Sequence, residues 1–326
     1  MTRHRISHVV EYGALRSIAA LLNALPYRGA LTIAWALAAL SHWVFGFRRK
    51  EALRRIRIVM GSGISGSDAR RIAWHSWRNV VFSAVELLRE RRMTREWICS
   101  VADCGEAMEA LGRHAATGKG AILACPHMGN WELAAVACHL HGIPIFSIAA
   151  PQKNPLTDNY INRLRRAPGI ETFARGSGLL KQVIHKLRAG GFLAILPDVR
   201  VRTEGVAVPF LGGTANLGAG MARLARHCGV PVYPAFSVRI GWTRHQMRLL
   251  EPVHPDLSLQ AEEDIARMTA QVVSVIEKAI REHPAQWFWY NKRWVLDPLE
   301  PKAGAVDAVP PAVTGNGPAD PSRAGA

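Results

Sequence analysis

The chain has 326 residues, 49% of them hydrophobic, which is enough to bury a large core and fits one domain plus an anchor. Its formal net charge of +16 favours polyanionic partners, without choosing among nucleic acid, an anionic membrane and a phosphorylated substrate. The five cysteines show no paired metal-ligand spacing and their odd count argues for reduced thiols, so we predict no metal site and a reducing compartment on the cytoplasmic side.

The N-terminal part of the chain is strongly apolar and predicts a membrane anchor. Positions 29–47 contain no Asp, Glu, Lys or Arg, and a helix of that length reaches about 28 Å at roughly 1.5 Å per residue, just enough to span a bilayer core. The stretch 9–25 carries Glu11 and Arg16, which suits an amphipathic helix at the membrane surface or against the domain. Without a cleavage pattern or lipidation box before them, both segments should be retained. The alternative is two buried helices of a soluble protein.

A basic run follows the apolar segment directly. Positions 47–58 hold six basic residues and one acidic residue. Juxtamembrane Arg and Lys attract anionic headgroups by about 1 kcal/mol each and mark a cytoplasmic flank. We therefore predict that 1–47 anchors the chain at a membrane, with the following domain on the cytoplasmic face. The alternative is a solvated helix face.

From position 48 to about 300, helical periodicity alternates with short apolar runs. An amphipathic helix is predicted over 68–92. The runs that predict strands are 121–124, 143–148, 192–196, 231–238 and 246–251, and the further predicted helices are 106–117, 155–167, 177–189, 218–228 and 261–283. Strands separated by helices predict an α/β domain with a mainly parallel sheet flanked by helices. The tail 301–326 is rich in Pro, Gly and Ala and should be disordered.

The clearest chemistry lies where the strand 121–124 ends and a helix begins, in the sequence Pro-His-Met-Gly-Asn-Trp-Glu at 126–132. Open α/β sheets hold their ligands at such strand ends. Asn130 is a good helix N-cap, which places Glu132 in the first turn, where the helix dipole favours a carboxylate. His127 then lies in the preceding loop, where Glu132 can orient one ring nitrogen and leave the other free as a general base. Such a pair can take the proton of a hydroxyl that attacks a thioester.

Two other interpretations of this segment stay open. His127 is also consistent with a loop histidine whose ring is satisfied locally, and Glu132 with a simple capping carboxylate. Cys125 is a candidate covalent nucleophile, although the apolar strand before it suits a buried structural thiol.

Arginines further along the chain are candidates for contact with an anionic substrate. Arg175 precedes a helix start that contains glycine and serine, an arrangement able to receive a phosphate through backbone N–H groups and a guanidinium. Arg163 and Arg166 belong to the preceding predicted helix, where a solvated face is the alternative for at least one of them.

Two more segments combine polar residues with apolar ones. Asp198 and Arg200 follow the predicted strand 192–196, and they lie at the same sheet edge as His127 if the strands are parallel. The segment 286–294 mixes large aromatics with cations. It either lines a lipid-facing groove or forms a core cluster at the end of a helix.

Four motifs in order resemble those of a known family. They are HxxxxE at His127 and Glu132, NPxxD at 154–158, VPF followed by glycine at 208–212, and QWxWxxxRW at 286–294. With the N-terminal apolar segment, they make the chain similar over about 8–296 to the late acyltransferases of lipid A biosynthesis, the lauroyl and myristoyl transferases of the lysophospholipid acyltransferase group. The chain differs at 215–218, where a Thr-rich stretch is common, and at Asn291, where a histidine is common.

The resemblance implies transfer of a fatty acyl chain from acyl carrier protein, or from coenzyme A, to a hydroxyl of a lipid A precursor or related phosphorylated glycolipid. The site is then at the cytoplasmic face of the bacterial inner membrane. His127 would be the base and Glu132 its partner, with no cofactor besides the acyl thioester. The other implied substrate-binding residues are Asn130, Arg163, Arg166, Arg175, Asp198 and Arg200.

Related activities compete with this interpretation. Acylation of a lysophosphatidate-type glycerophospholipid or of a phosphatidylinositol mannoside uses the same His–Glu chemistry. A basic membrane-surface protein without catalysis also fits the charge. Nucleic-acid binding fits poorly, because the aromatic residues cluster near 287–294 instead of alternating with the basic runs.

Overall fold

A seven-stranded sheet lies at the centre of the computed structural model, which describes residues 5–149, 151–174, 176, 178–201 and 205–297. The strands in this part of the chain are β1 (Ala102–Asp103), β2 (Ala121–Ala124), β3 (Ile145–Ala149), β4 (Glu171–Ala174), β5 (Phe192–Ile195), β6 (Val206–Phe210), β7 (Gly213–Leu217), β8 (Val232–Ile240) and β9 (Arg244–Leu249). The sheet order is β1-β9-β8-β2-β5-β3-β4, while β6 and β7 form a separate hairpin. Neighbours in the sheet are parallel except β8 and β9. The predicted α/β class with a mainly parallel sheet is confirmed.

Helices cover both faces of this sheet. The α-helices of the described residues are α1 (Ile6–Ala24), α2 (Tyr27–Ala39), α3 (Arg49–Met60), α4 (Gly66–Leu88), α5 (Arg95–Val101), α6 (Gly105–Ala115), α7 (Trp131–Leu140), α8 (Pro155–Arg166), α9 (Leu179–Arg188), α10 (Gly220–Cys228) and α11 (Ala261–Glu282). A π-helical turn, Leu40–Val44, continues α2, and 3₁₀ turns occupy Glu90–Arg92 and Pro284–Gln286. The predicted helices between 68 and 283 are confirmed, with their ends moved by a few residues.

Strand β2 is apolar throughout because it is covered on both sides. Successive side chains of a strand point to opposite faces. Ala121 and Leu123 therefore pack with α5, α6 and α7, whereas Ile122 and Ala124 pack with α3, α9, α10 and α11. Central parallel strands covered by helices are continuous apolar runs, and this is why the sequence revealed β2.

The sequence did not predict β1, β4 or the hairpin of β6 and β7. The hairpin turns at Leu211 and Gly212, which both have positive φ, as required by a tight turn whose twist matches its strands. Leucine rarely signals such a turn. Its backbone N–H donates to Glu277 Oε2 of α11 at 2.7 Å, so a distant contact supports this conformation.

The closing aromatic segment forms part of the core. Trp287, Trp289, Tyr290 and Trp294 are all buried and belong to the cluster around α11. The core interpretation of 286–294 is therefore confirmed, and the lipid-facing groove is wrong for these four side chains.

The N-terminal helices pack on α4 along one side and expose apolar residues on the other. Leu22 of α1 and Leu31 and Ala34 of α2 are buried beside Phe82 of α4. The exposed apolar residues from α2 to the start of α3 are Trp35, Leu37, Leu40, Trp43, Val44, Phe45 and Phe47. Among the described helices none alone has the length and apolarity to cross a membrane, whereas Tyr27–Val44 and α3, bent by 86°, meet that requirement together by length and composition. Anchoring by 1–47 stays a prediction.

Candidate functional site

The loop between β2 and α7 brings His127 to an aspartate at the carboxyl edge of the sheet. Strands β2 and β5 are parallel, with Ala124 opposite Ile195, so the segments that follow them meet at one edge. His127 Nδ1 lies 2.8 Å from Asp198 Oδ1, and the backbone N–H of His127 donates to Asp198 Oδ2 at 2.8 Å. Trp287 Nε1 donates to the same Oδ2 at 2.7 Å. The predicted shared edge of His127 and Asp198 is confirmed.

The charges of this pair support each other. Burial favours the neutral form of Asp198, but the His127 charge and the three hydrogen bonds outweigh it and lower the pKa of Asp198. Burial also opposes protonation of His127, yet the charge and hydrogen bond of Asp198, together with the Glu132 charge, raise the pKa of His127. With Nδ1 donating to Asp198, the neutral imidazole carries its lone pair on Nε2. This is the arrangement of a general base oriented by a carboxylate.

Glu132 occupies a different place from the one predicted. It lies in the first turn of α7, where the dipole favours its charge, and it binds Arg165 of α8. Arg165 Nε lies 3.1 Å from both carboxylate oxygens, and Nη2 donates to Oε1 at 2.5 Å. The expected orientation of His127 by Glu132 is thus wrong, because Asp198 occupies Nδ1. Glu132 still acts on the imidazole through its charge.

A second carboxyl group lies near the Glu132–Arg165 pair. Glu90, in the 3₁₀ turn that follows α4, is almost fully buried. Burial and the charge of Glu132 raise its pKa to about 8, against the opposing charge of Arg165. At neutral pH, Glu90 is therefore largely protonated and uncharged, and Glu132 is the carboxylate that pairs with Arg165.

A cavity of about 470 Å³ lies between the sheet and helices α6 and α7. His127, Glu132 and Arg165 are on its wall, together with Gln152 and Arg248. The apolar side chains that extend it across the sheet face are Ala107, Met108, Leu111, Leu123, Ala134, Ala135, Cys138, Ile145, Ile170, Ala194, Met247 and Leu249. A cavity with polar groups at the imidazole and a largely apolar interior suits a ligand with a reactive head and a hydrocarbon chain.

Cys125 also lines the cavity, but its chemistry argues against a nucleophile. Burial, helped by the charge of Asp198, raises the pKa of its thiol to about 12. The attacking species in cysteine catalysis is the thiolate. Cys125 is thus a neutral thiol at physiological pH, in line with the structural alternative.

Asn130 lies behind the site and not in it. The residue is fully buried, and its Oδ1 accepts the backbone N–H of Leu133 at 3.0 Å. The predicted N-cap of α7 is confirmed. The cavity wall in the described residues does not include Asn130, so the structure gives it a supporting role in the loop, and its contact with substrate stays a prediction.

The predicted cationic residues are dispersed. Arg163 and Arg166 are exposed on α8. The arginine of α8 that reaches the cavity is Arg165, whose direction follows from helical periodicity once α8 docks. Arg200 is buried and forms an antiparallel bridge to Leu217, directly after Val199, which lines the cavity. Arg175 lies outside the described residues.

Sequence reasoning missed the roles of Arg165 and of one aromatic residue. Trp287 was considered as an aromatic, but its function is to donate the indole N–H to Asp198. A buried Trp usually has such a partner, so the QW pair was a usable signal. The NPxxD segment is structural, since Asn154 caps α8 at Leu156 N and Asp158 accepts the N–H of Gln152.

Comparison with known proteins identifies relatives of this chain. Residues 4–295 match the family model described as bacterial lipid A biosynthesis acyltransferase. A phosphatidylinositol mannoside acyltransferase of Mycobacterium tuberculosis (strain CDC 1551 / Oshkosh) is 28% identical over 191 residues, 56% of this chain and 57% of the relative. The enzyme of the same description from Mycolicibacterium smegmatis is 25% identical over 185 residues, 55% of this chain and 58% of the relative.

A lipid A biosynthesis acyltransferase of Haemophilus influenzae is 27% identical over 186 residues, 56% of each chain. The matches thus span a little over half the length of these curated relatives. The family model, by contrast, covers nearly the whole chain, including the His127 loop, Asp198 and Trp287. The chain belongs to the bacterial lipid A biosynthesis acyltransferase family.

Proposed function

We propose that this protein is an O-acyltransferase that moves a fatty acyl chain from a thioester to a hydroxyl of a lipid A precursor or related phosphorylated glycolipid. The observation that carries the proposal is the His127–Asp198 pair at the wall of a largely apolar cavity. Family membership supports the reaction class.

The chemistry follows from the geometry of the pair. His127 Nε2 accepts the proton of the acceptor hydroxyl as its oxygen bonds to the thioester carbonyl carbon. The carbon–sulfur bond then breaks, and the imidazolium returns the proton to the departing thiolate. Asp198 keeps the proton on Nδ1 and stabilises the imidazolium between these steps. The products are an ester and a free thiol, with no net change in the enzyme.

The proposal assigns selection of the acyl chain to the cavity. Each methylene buried from water contributes about 0.8 kcal/mol, so a chain that fills the space beside Leu111 and Met247 binds far better than a short one. The floor of the cavity then limits chain length, because an interior packed at native density accommodates extra methylenes poorly.

Glu132 and Arg165 complete the proposal on the acceptor side. Glu132 holds the guanidinium of Arg165 at the cavity wall, 22% exposed, where it can meet an anionic group of the glycolipid. Loss of Glu132 would free Arg165 from its bonded carboxylate and leave the more distant carboxyl groups of Glu90 and Asp158. Glu132 therefore acts in catalysis through Arg165 and through its charge on His127.

The surroundings proposed for the reaction are the cytoplasmic face of the bacterial inner membrane. The exposed apolar residues of α2 and its π-helical turn, followed by the basic helix α3, fit an anionic membrane surface. The donor is acyl carrier protein, with acyl-coenzyme A as the other candidate. The net charge of +16 favours an acidic carrier and an anionic acceptor.

Purified protein with labelled acyl donor tests the function directly. The proposal expects labelled product with a lipid A precursor, whereas product on phosphatidylinositol mannoside alone would assign the activity suggested by the mycobacterial relatives. Product on lysophosphatidate alone would overturn the glycolipid acceptor. Mass spectrometry of lipid A from cells with and without the chain checks the result in vivo.

A further inference from the structure

A buried group of charges lies directly behind the catalytic loop. Glu86 of α4 and Arg239 of β8 have no exposed side-chain surface, and Arg239 donates to Glu86 through Nη1 at 2.8 Å and Nη2 at 2.5 Å. Glu86 also accepts the hydroxyl of Tyr27 and the side-chain amide of Asn130, each at 2.5 Å. His245 Nε2 lies 3.6 Å away. The proposed reaction uses none of these residues directly, and Asn130 links them to the His127 loop.

The charge of Glu86 fixes the orientation of the Asn130 side-chain amide. Burial favours the neutral form of Glu86, but the charge and hydrogen bonds of Arg239, helped by nearby His245, outweigh it and hold the pKa of Glu86 far below its usual range. An ionised carboxylate only accepts hydrogen bonds. Asn130 must therefore direct its NH₂ to Glu86, and its oxygen is left to accept Leu133 N–H as the cap of α7.

The orientation of this amide matters for the whole loop. Asn130 N donates to Ser237 Oγ at 2.9 Å, and Gly129 N donates to Gln286 O at 3.0 Å. Gly129 has φ +61, and a Cβ there would lie 2.0 Å from Ser237 O. The backbone at this position therefore packs directly against β8, with no room for a side chain. His127, two residues earlier, is held against Asp198 by a chain segment whose far end is fixed by Asn130.

We propose that Glu86 is a positioning residue, which fixes the Asn130 amide as the cap of α7 and thereby holds the His127 loop against Asp198. The proposal deepens the acyl-transfer function and rests on it for its kinetic effects. Its structural consequence, that loss of Glu86 weakens the His127–Asp198 hydrogen bond, can be tested without substrate. The groups that face His127 in the wild type are Asp198 after β5, Glu132 on α7 and Arg165 on α8.

Three variants distinguish the effect of the Asn130–Glu86 hydrogen bond from the effect of losing the Glu86–Arg239 ion pair. Glu86→Gln leaves one acceptor oxygen for the donors of Arg239, Tyr27 and Asn130 and no longer forces the orientation of the Asn130 amide. Asn130→Asp places two carboxylates against each other. Each variant should lower kcat by about 10²-fold, as a misplacement of about 1 Å does. In the double variant Glu86→Gln/Asn130→Asp, the glutamine amide donates to the aspartate, which still caps α7, and the cluster keeps its net charge. The double variant should therefore recover at least about tenfold over either single variant.

A fourth variant keeps the ion pair intact. Asn130→Ser retains a good cap but replaces the NH₂ that reaches Glu86 by a hydroxyl on a shorter side chain, so it should also lower kcat while Glu86–Arg239 maintains folding. The matched control is Asp264→Asn, which removes a buried carboxylate bound to Arg226 at 2.8 Å, between α10 and α11. It should change the melting temperature without changing kcat per folded molecule.

The decisive measurement is the pKa of His127, followed by NMR of ¹³C-labelled histidine, with His127→Ala to assign its signal among the 13 histidines. We expect it to fall by about 0.5 or more in Glu86→Gln and Asn130→Ser, because the Asp198 hydrogen bond that raises it is weakened. It should return in the double variant and stay unchanged in Asp264→Asn.

An unchanged His127 pKa and wild-type kcat in folded Asn130→Ser would overturn the proposal, as would a double variant with no recovery. If Glu86→Gln does not fold, Asn130→Ser and the double variant still decide the question. If no acyl acceptor is found at all, the proposed function fails, while the NMR titration still tests the positioning role.

Discussion

Asp198→Asn isolates the orientation of His127 from the other properties of the site. Asp198 accepts three hydrogen bonds, two from His127 and one from Trp287. The asparagine has nearly the same size, and its amide oxygen can keep the two donors that meet Oδ2. Its NH₂ then faces His127 Nδ1. A donor at that position makes Nδ1 an acceptor and moves the ring proton to Nε2, where the base must be unprotonated.

The expected loss can be worked out from this tautomer change. The corresponding substitution in the serine protease triad lowers turnover by about 10⁴-fold, which is about 5.4 kcal/mol of transition-state stabilisation at 1.36 kcal/mol per tenfold. Asp198 also raises the pKa of His127 through its charge and hydrogen bond, against the effect of burial. Because the base acts as neutral imidazole, the acidic limb of any residual activity should move to lower pH.

The assay is the rate of labelled acyl transfer by purified wild-type and Asp198→Asn protein, measured from pH 5 to about pH 9 with saturating donor. Circular dichroism confirms that the variant is folded. A variant with wild-type turnover, or one whose loss is matched by an equal loss of folded protein, would refute the orienting role of Asp198.

Four further predictions concern the same site and its surroundings. His127→Ala should reduce turnover to the level of protein-free controls in the same assay, and measurable base-dependent transfer in that variant would contradict the mechanism. Glu132→Gln should lower kcat/KM for the anionic acceptor by about 10²-fold and leave acyl-donor binding unchanged, since it releases Arg165; an unchanged acceptor KM and kcat would remove Glu132 from the site. The pKa of Asp198 is lowered and that of His127 is raised in the folded protein. The difference in free energy of unfolding between wild type and Asp198→Asn should therefore be greatest between about pH 4 and pH 6.5. It should shrink below about pH 4, where Asp198 becomes protonated, and above about pH 6.5, where His127 loses its proton. Thermal melts across this range check that window. Trp43→Ser/Phe45→Ser should weaken binding to anionic vesicles at least tenfold, because each aromatic buried in lipid contributes about 1.5–3 kcal/mol; equal sedimentation of both proteins would exclude this surface as the membrane contact.

The elements that the sequence predicted best are those with the strongest local patterns. Strand β2 is a run of four buried apolar residues, and α11 combines an acidic first turn with a long amphipathic period. The hairpin and β4 were missed because their stability comes from partners far along the chain, as with Leu211 and Glu277. Edge strands of four or five residues carry little periodicity of their own.

The histidine proposed as the general base was also predictable, because a strand end that leads into a capped helix can be recognised from a few consecutive residues. The carboxylate that orients it was not. Glu132 is near His127 in sequence, but α7 begins between them and directs Glu132 towards Arg165. Asp198 is 71 positions from His127, and only the parallel pairing of β2 and β5 brings it within reach.

What the sequence determined by itself is therefore the α/β class, the position of the proposed general base, the cap at Asn130 and the family. These follow from periodicity, strand ends and motifs, each of which is contained in a few consecutive residues. Tertiary structure decided which carboxylate holds the imidazole, which arginine of α8 faces the cavity, and that Glu86 lies behind the loop. Such choices depend on contacts between segments many residues apart, and a hydrogen bond extends over only about 3 Å.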